Sequence, residues 1–492
     1  MKKVNALLLV VVLVLSTLMT TSCGLFNKQH SLCEKCGKCN VADCDINEHS
    51  DKCKCSSSSQ NNGTPGAALP VYGELEGHEG FYMSIFGDPA QQTVEAYQDV
   101  VDLGCNWVFL DPWSGTGLDT TGLIKALEAC EAVGLNALIM TNNTHNESED
   151  ELQSFLELAK IDYTQYPAFK GIYAFDEPTV EQMHWIASQL EEWEESEYQD
   201  YIYLVNLMRN SDDAPTTEGY LSNYWDIVLS KNDDNILLYD TYPLYAKVGD
   251  KVEPYIRIEM LDCLEQFAKL AKEKDSKFYT YLQTYCEKNG VARDLVSVND
   301  ARFQVAMNLA YGVEGFVCFT YLSMSQFGPS MITGNNDKLP KYHYIQEVFA
   351  ELKEFEDVYF AFDWVGTMPV LGPNRGTERG YGEQPETHIT TLTESLDSHD
   401  RIDSVETEYD LIIGAFEDKD GNDGFLISSY TDPYYMKNNN IKIDFNNATR
   451  ALVYYNGTLV TNDDADTCYV LENGALEFNL EAGDYIFVVP VN

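Results

Sequence analysis

The chain has 492 residues and a mass of 55.6 kDa, enough for about three structural units at roughly 150 residues each. Its 32 Lys and Arg stand against 79 Asp and Glu, a net charge of −47, and that surplus repels phosphate backbones and excludes nucleic acid as a partner. Hydrophobic residues at 44% and aromatics at 12%, including 32 Tyr, exclude a disordered chain, and such an acidic, aromatic composition is common in exported proteins that handle neutral sugars.

Lys2 and Lys3 precede an apolar run from Ala6 to Met19, which has the charge and length of a signal peptide and is too short to span a membrane comfortably. The run ends in Thr20-Thr21-Ser22-Cys23, which resembles the bacterial lipobox, with Thr20 standing where that pattern has Leu. The resemblance implies removal of residues 1–22, lipidation of Cys23, and a place on the bacterial cell surface with the membrane touched only through the lipid. An ordinary cleaved signal with a chance cysteine is the alternative. Residues 23–55 form a separate cysteine-rich module containing Cys33, Cys36, Cys39, Cys44, Cys53 and Cys55, with His49 among them. An even cysteine count in an exported chain suits three disulfides, while CxxCxxC spacing beside a His suits a tetrahedral zinc site, and both readings stand. A Ser, Gln, Asn, Gly and Pro stretch from Ser56 to Pro65 makes residues 56–74 a flexible linker. The six remaining cysteines, Cys105, Cys130, Cys263, Cys286, Cys318 and Cys468, sit among apolar neighbours and read as small, reduced core residues.

From residue 80 short β-rich runs alternate with amphipathic helical windows. The runs are Gly80 to Phe86, Asn106 to Asp111, Asn136 to Thr141, Gly171 to Asp176, Tyr201 to Leu207, Asn235 to Asp240, Lys277 to Gln283 and Gly315 to Tyr321. Their starts lie 26 to 42 residues apart, the length of a strand plus a crossover helix, and their nearly continuous hydrophobicity suits a parallel sheet covered on both faces. Leu152, Phe155, Leu156 and Ala159, and likewise Met260, Cys263, Leu264 and Phe267, have the spacing of one apolar helix face. Gly104 and Gly134 recur at equivalent points before Asn and a strand, fitting the left-handed position that ends a helix. Eight βα units within 242 residues, followed by a helix from about Tyr344 to Phe355, predict an α/β fold of the (β/α)8 TIM-barrel type over residues 75–357. A doubly wound open sheet is the other fold, but Phe86-Gly87-Asp88-Pro89 is no GxGxxG phosphate loop. Over residues 358–492 short alternating runs replace helices, Asn456-Gly457 and Asn473-Gly474 mark tight hairpins, and an all-β sandwich is predicted, with a long polar loop from Gly372 to Glu408.

In such a barrel the functional groups project from the carboxyl ends of the strands. Those ends carry Asp111 and Trp113, then Asn142, Asn143 and His145, Asp176 and Glu177, Asn206 and Arg209, Asp240 and Tyr242, Gln283 and Tyr285, and Thr320 and Tyr321. Carboxylates can move protons at a glycosidic oxygen, amides can hold hydroxyls, and aromatic faces can cover a sugar ring. Asp111, Trp113, Asn142, Asn206, Tyr242, Gln283, Tyr285 and Tyr321 are therefore the candidate carbohydrate ligands. Neither a phosphate cradle nor a spaced His/Asp metal cluster stands at these ends, so no cofactor is implied.

The sharpest motif is Gly171 to Pro178, an apolar strand ending in the adjacent acids Asp176 and Glu177 and a proline. Crowding two acids at a buried strand end should leave one of them protonated and able to act as an acid. The plainer reading makes Asp176 the cap of the following helix and Glu177 an exposed residue. Here the chain resembles (β/α)8 glycoside hydrolases, which place a general acid Glu at the end of strand four and often carry a C-terminal β-sandwich. It departs from the retaining enzymes with that Glu at strand seven, where Gln283 stands in place of a nucleophilic Glu. The Asp-Glu pair is similar to that of the β-N-acetylhexosaminidases and β-N-acetylgalactosaminidases, in which the substrate's acetamide attacks. That resemblance implies that Asp176 orients the acetamide, Glu177 donates the proton, and Tyr242 or Tyr285 reaches the acetamide oxygen. Inversion, with Glu177 as acid and Asp240 or Asp111 activating water, is a further route. The leading expectation is an exported, lipid-anchored glycoside hydrolase; a surface glycan-binding protein that lost its nucleophile is the alternative.

Overall fold

A computed structural model of the protein describes residues 68–492 apart from 74, 76, 112–119, 142, 144–151, 209–216, 233, 249–251, 258, 375–391, 393 and 463–466. The expectations for Cys23, for the cysteine module, and for Trp113, Asn142, His145 and Arg209 lie outside the described residues. Residues 67–492 form one compact unit.

Ten strands precede the sandwich. They are β1 (Tyr82–Phe86), β2 (Trp107–Leu110), β3 (Asn136–Met140), β4 (Phe169–Asp176), β5 (Ile202–Leu207), β6 (Ile236–Tyr239), β7 (Leu244–Val248), β8 (Val252–Ile256), β9 (Lys277–Gln283) and β10 (Gly315–Phe319). Eight of them close a parallel barrel in the order β1-β10-β9-β6-β5-β4-β3-β2, and these are the eight runs counted in the sequence. The helices are α1 (Val94–Asp102), α2 (Thr120–Val133), α3 (Phe155–Leu158), α4 (Val180–Glu194), α5 (Thr217–Ile227), α6 (Glu259–Lys274), α7 (Val298–Leu309) and α8 (Pro340–Tyr359). Met260, Cys263, Leu264 and Phe267 of α6 are all buried, as their spacing predicts. The window from Leu152 to Ala159 makes only the single turn α3, with no fully buried residue, although its apolar side chains still rest on the core. The six dispersed cysteines are free and buried.

Strand alternation sorts the barrel residues into two cores. Tyr82, Trp107, Phe109, Leu138, Tyr173, Leu204, Leu238, Tyr279, Tyr281 and Val317 fill the interior, where Tyr82 stacks on Tyr279 at 4.7 Å. Their neighbours on the outer face, such as Val108, Ile139 and Leu237, join the helices in a second core. The barrel interior is thus a packed aromatic plug, and only its rim is left for chemistry.

Three features escaped the sequence. An antiparallel hairpin, β7 with β8, is inserted after β6. A strand β11 (Phe362–Val370) begins directly after α8, and β12 (Ile402–Thr407) occupies the end of the stretch expected to be loop. The C-terminal domain is completed by β13 (Leu411–Asp418), β14 (Asp423–Ser429), β15 (Asn438–Phe445), β16 (Arg450–Tyr455), β17 (Thr458–Val460), β18 (Tyr469–Val470), β19 (Ala475–Glu481) and β20 (Tyr485–Val491). The larger sheet runs β11-β13-β14-β20-β16-β17, with β18 paired to β16, and faces a sheet β12-β15-β19 across a core of Ile413, Phe425, Ile443, Leu476 and Val488. The other face of the larger sheet packs on the barrel helices, where Phe355 meets Phe487 at 5.4 Å and Tyr359 meets Phe416 at 5.6 Å. Gly414 lets the sheet approach, since a Cβ there would lie 2.4 Å from the Ala310 carbonyl oxygen. Across this junction Arg293 makes 2.7 Å ion pairs with both Asp300 and Asp432, all three side chains buried.

Candidate active site

Interior parity carries Asp111, Asn206 and Asp240 to the mouth, directly above Phe109, Leu204 and Leu238. Asp176 reaches the same rim by a different route. Its strand slips register against β5 between Tyr173 and Phe175, so that Ala174 and Phe175 both face outward and Asp176 turns inward. A second irregularity lies at Gly171, whose φ of 141° and absent side chain let β4 approach Ile202, because a Cβ would stand 2.0 Å from the Ile202 carbonyl oxygen.

The acids are tied together. The Tyr173 hydroxyl donates to Asp176 Oδ1 at 2.6 Å, and burial followed by the Asp176 charge pushes the Tyr173 hydroxyl far up, so it stays a donor. Asn206 Nδ2 donates to Asp176 Oδ1 at 2.9 Å and to Asp240 Oδ1 at 3.0 Å, which holds the two carboxylate oxygens within about 6 Å of each other. The Glu177 amide donates to the Asn206 carbonyl at 2.9 Å while Glu177 holds a φ of 49°, a left-handed conformation that costs a non-glycine residue about 1 kcal/mol or more. Pro178 is buried, and its carbonyl accepts the Tyr220 hydroxyl at 2.8 Å. The cap of α4 is Thr179, which accepts from the Gln182 amide in a reciprocal capping box, so Asp176 is not the helix cap and Glu177 stands half-buried at the turn.

Aromatic rings form one wall of the mouth. Tyr242 meets Tyr285 edge-on at 5.0 Å, and both rings lie 5.4 Å from Phe319. The Tyr242 hydroxyl is pushed far up by burial and then by Asp240, with Asp176 also contributing, which places it on the acid side of the mouth. The Tyr285 hydroxyl bonds to that of Tyr245 on the inserted hairpin.

Two expected sugar ligands are elsewhere. Gln283 is fully buried: its Oε1 accepts the Leu244 amide at 2.9 Å, and its Nε2 donates to the carbonyls of Leu244 and Arg293 at 3.0 and 3.2 Å. It fastens the hairpin to the barrel and has no polar atom left for a hydroxyl. Tyr321 is 1% exposed and packs among the outer core with Leu103 and Tyr342, so it is no platform. Asn206 has spent both N–H groups on the acids. Two residues escaped the sequence reading. In the sequence Tyr173 reads only as a strand residue, and it becomes a neighbour of Asp176, three residues on, only through the bulge. Asp88 reads in the sequence only as part of Phe86-Gly87-Asp88-Pro89, which is no phosphate loop. Its buried Oδ1 accepts the Asp111 amide at 3.2 Å and so anchors the end of β2, while burial pushes its carboxyl up to about 7. Among the described residues no cluster of His, Cys, Asp and Glu fit to hold a metal ion is present.

No family model matches the chain, and no curated protein matches it. Among the solved structures similar to it are glycoside hydrolases. They include a GH30 endoxylanase from Clostridium papyrosolvens, at 13% identity over 84% of this chain and 96% of that one with a TM-score of 0.40. A family 30 subfamily 8 xylanase from Clostridium acetobutylicum has 12% identity over 84% and 96%, with a TM-score of 0.41. A GH99 endo-alpha-mannosidase from Bacteroides thetaiotaomicron has 11% identity over 54% and 79%, with a TM-score of 0.38.

Proposed function

We propose that this chain is a glycoside hydrolase of an extracellular glycan, with Glu177 as proton donor. The observation that carries the reading is the rim itself, where Asp176 and Asp240 share one amide of Asn206 and Glu177 stands beside them on a strained turn. A structural cluster gains little from three acids gathered at the face of a barrel where sites are built. Glu177 passes a proton to the glycosidic oxygen as its bond to the anomeric carbon breaks. With an N-acetylated sugar, the acetamide oxygen forms the new bond to that carbon. Asp176, whose Oδ1 is already engaged by Tyr173 and Asn206, accepts the acetamide N–H through its other oxygen, and the Tyr242 hydroxyl donates to the acetamide oxygen. Water then attacks the same carbon as its bond to the acetamide oxygen breaks, restoring the acetamide, and the water's proton returns to Glu177. With other sugars Asp240 takes the proton from an attacking water.

The test is a screen of aryl glycosides, N-acetylated ones included, with wild type and Glu177→Gln. Glu177→Gln should lower the rate by about 10² to 10⁴-fold on poor leaving groups and less on activated aryl ones. Full activity of that variant on an unactivated glycan would remove Glu177 from its role. Asp176→Asn should be most damaging on N-acetylated substrates, and Asp240→Asn where water attacks directly. Persistent inactivity of wild type with retained glycan affinity would favour the binding protein instead, although Gln283, the feature that suggested a lost nucleophile, serves the hairpin. The same proposal anchors the chain at the cell surface through Cys23, which rests on the signal-like segment before it, and Cys23→Ala should release the protein from membranes.

A further inference from the structure

We propose that Asn206 is the positioning residue of this site, acting through Asp176 and Asp240 without touching the substrate. The inference rests on the hydrolase reading for its catalytic consequence, and on bond geometry for the rest. A primary amide carries two N–H groups, and both are used here, one on each carboxylate. Turning the amide over would set its oxygen against two carboxylate oxygens, so its orientation is decided by its partners. The side chain is 2% exposed, and its Oδ1 has no hydrogen-bond partner among the described residues. A buried acceptor left in that state is unfavourable, and an apolar residue at the same place would avoid the loss. The amide is worth keeping at this position only if its two N–H groups are needed.

The need is plain from the surroundings. Two carboxylates held within about 6 Å of each other repel, and low dielectric strengthens that repulsion. One amide donating to both gives them a common partner and a set separation. The main-chain carbonyl of Asn206, which holds the Glu177 amide, is untouched by any change of side chain. Substitution at this position therefore tests the clamp on the acid pair while leaving the turn of Glu177 in place.

The experiment is a double-mutant cycle on the full chain, combining Asn206→Ala with Asp240→Asn, read by melting temperature and by kinetics on whichever aryl glycoside wild type cleaves. Asn206→Ala should lower kcat by about 10²-fold, the cost of a misplaced reacting group, with KM within about threefold of wild type. It should also lower the melting temperature. In the Asp240→Asn background, where the like-charge pair is gone, the same substitution should cost less than tenfold in kcat and little in melting temperature. Asn206→Asp, which exchanges both N–H groups for a third charge, should be worse than Asn206→Ala in both readouts. A rise in KM with kcat preserved would make Asn206 a sugar ligand and overturn the proposal. Additive losses in both readouts would overturn it as well, since independent residues do not couple. Should wild type cleave nothing in the screen, the hydrolase reading fails by itself, and the melting-temperature cycle still decides the clamp: coupling supports it and additivity overturns it.

Discussion

Tyr173 and Asp176 stand three residues apart on β4 yet meet on the same side of the barrel wall, with the Tyr173 hydroxyl donating to Asp176 Oδ1 at 2.6 Å. An unbroken strand would turn them to opposite faces. The extra residue accommodated between Tyr173 and Phe175 reverses the alternation and delivers the acid to the mouth. Hydrogen bonds to charged groups contribute about 1.5 to 3 kcal/mol. Tyr173→Phe, which keeps the ring, should therefore lower kcat by about tenfold while Asn206 still holds the carboxylate. An unchanged kcat would show that Asp176 needs no second donor.

Gln283→Glu tests whether this site lost a nucleophile. The side chain is enclosed by the backbone of Leu244 and Arg293, and a carboxylate in its place would face two carbonyl oxygens at the distances where Nε2 now donates. The substitution should destabilise the fold by about 2 to 4 kcal/mol, the usual cost of leaving buried polar groups opposed, and should create no new glycosidase activity. Denaturant unfolding measures the first, and trapping of a covalent glycosyl-enzyme the second. Recovery of a trapped intermediate at residue 283 would contradict the structural role.

Arg293 is the cation common to Asp300 of α7 and Asp432 of the sandwich, and removing it strands two buried carboxylates. Arg293→Met should cost about 3 to 5 kcal/mol and loosen the junction between the two domains. Chemical denaturation read by tryptophan fluorescence checks the loss. Stability within 1 kcal/mol of wild type, roughly the worth of an exposed pair, would show the triad to be solvated.

Stability should fall as pH rises from 5 to 8. Burial pushes the carboxyls of Asp88 and Glu314 up to about 7 and that of Asp432 to about 6. An unfolded chain ionises such groups near pH 4. The folded protein therefore binds protons that the unfolded chain has already released, a contribution present in full below pH 4 and lost as pH climbs through 6 and 7. Melting temperatures across this range should decline, and Asp88→Asn should flatten the slope. A melting temperature that rises from pH 5 to 8 would contradict the burial of these groups.

Much of the architecture is legible in the residues because it depends on local pattern. Eight apolar runs separated by helical windows leave few ways to cover both faces of a parallel sheet, and Asn-Gly pairs announce hairpins wherever they fall. The hairpin β7 with β8 has no Asn-Gly pair and only the weaker Gly249-Asp250 signal inside what reads as a strand-to-helix connection, and the half-exposed residues of β12 look like the polar loop before it.

The site divides along the same line. The acids at the ends of β4 and β6 follow from period and chemistry, since a charged residue closing an apolar strand has few places to go except the rim. Which way each side chain points there depends on register, and register is a property of neighbouring strands. Alternation alone would have sent Phe175 inward and Asp176 outward, and the bulge against β5 exchanged them. Gln283 has the parity of a rim residue, yet an inserted hairpin offered its amide better partners than solvent. Asn206 joins Asp176 to Asp240 across intervals of 30 and 34 residues. The sequence alone determined which chemical groups close the strands, because strand order and residue type are local properties; only the closed barrel decided which of those groups face the mouth and touch, because register and hydrogen bonds between strands depend on distances that no single strand encodes.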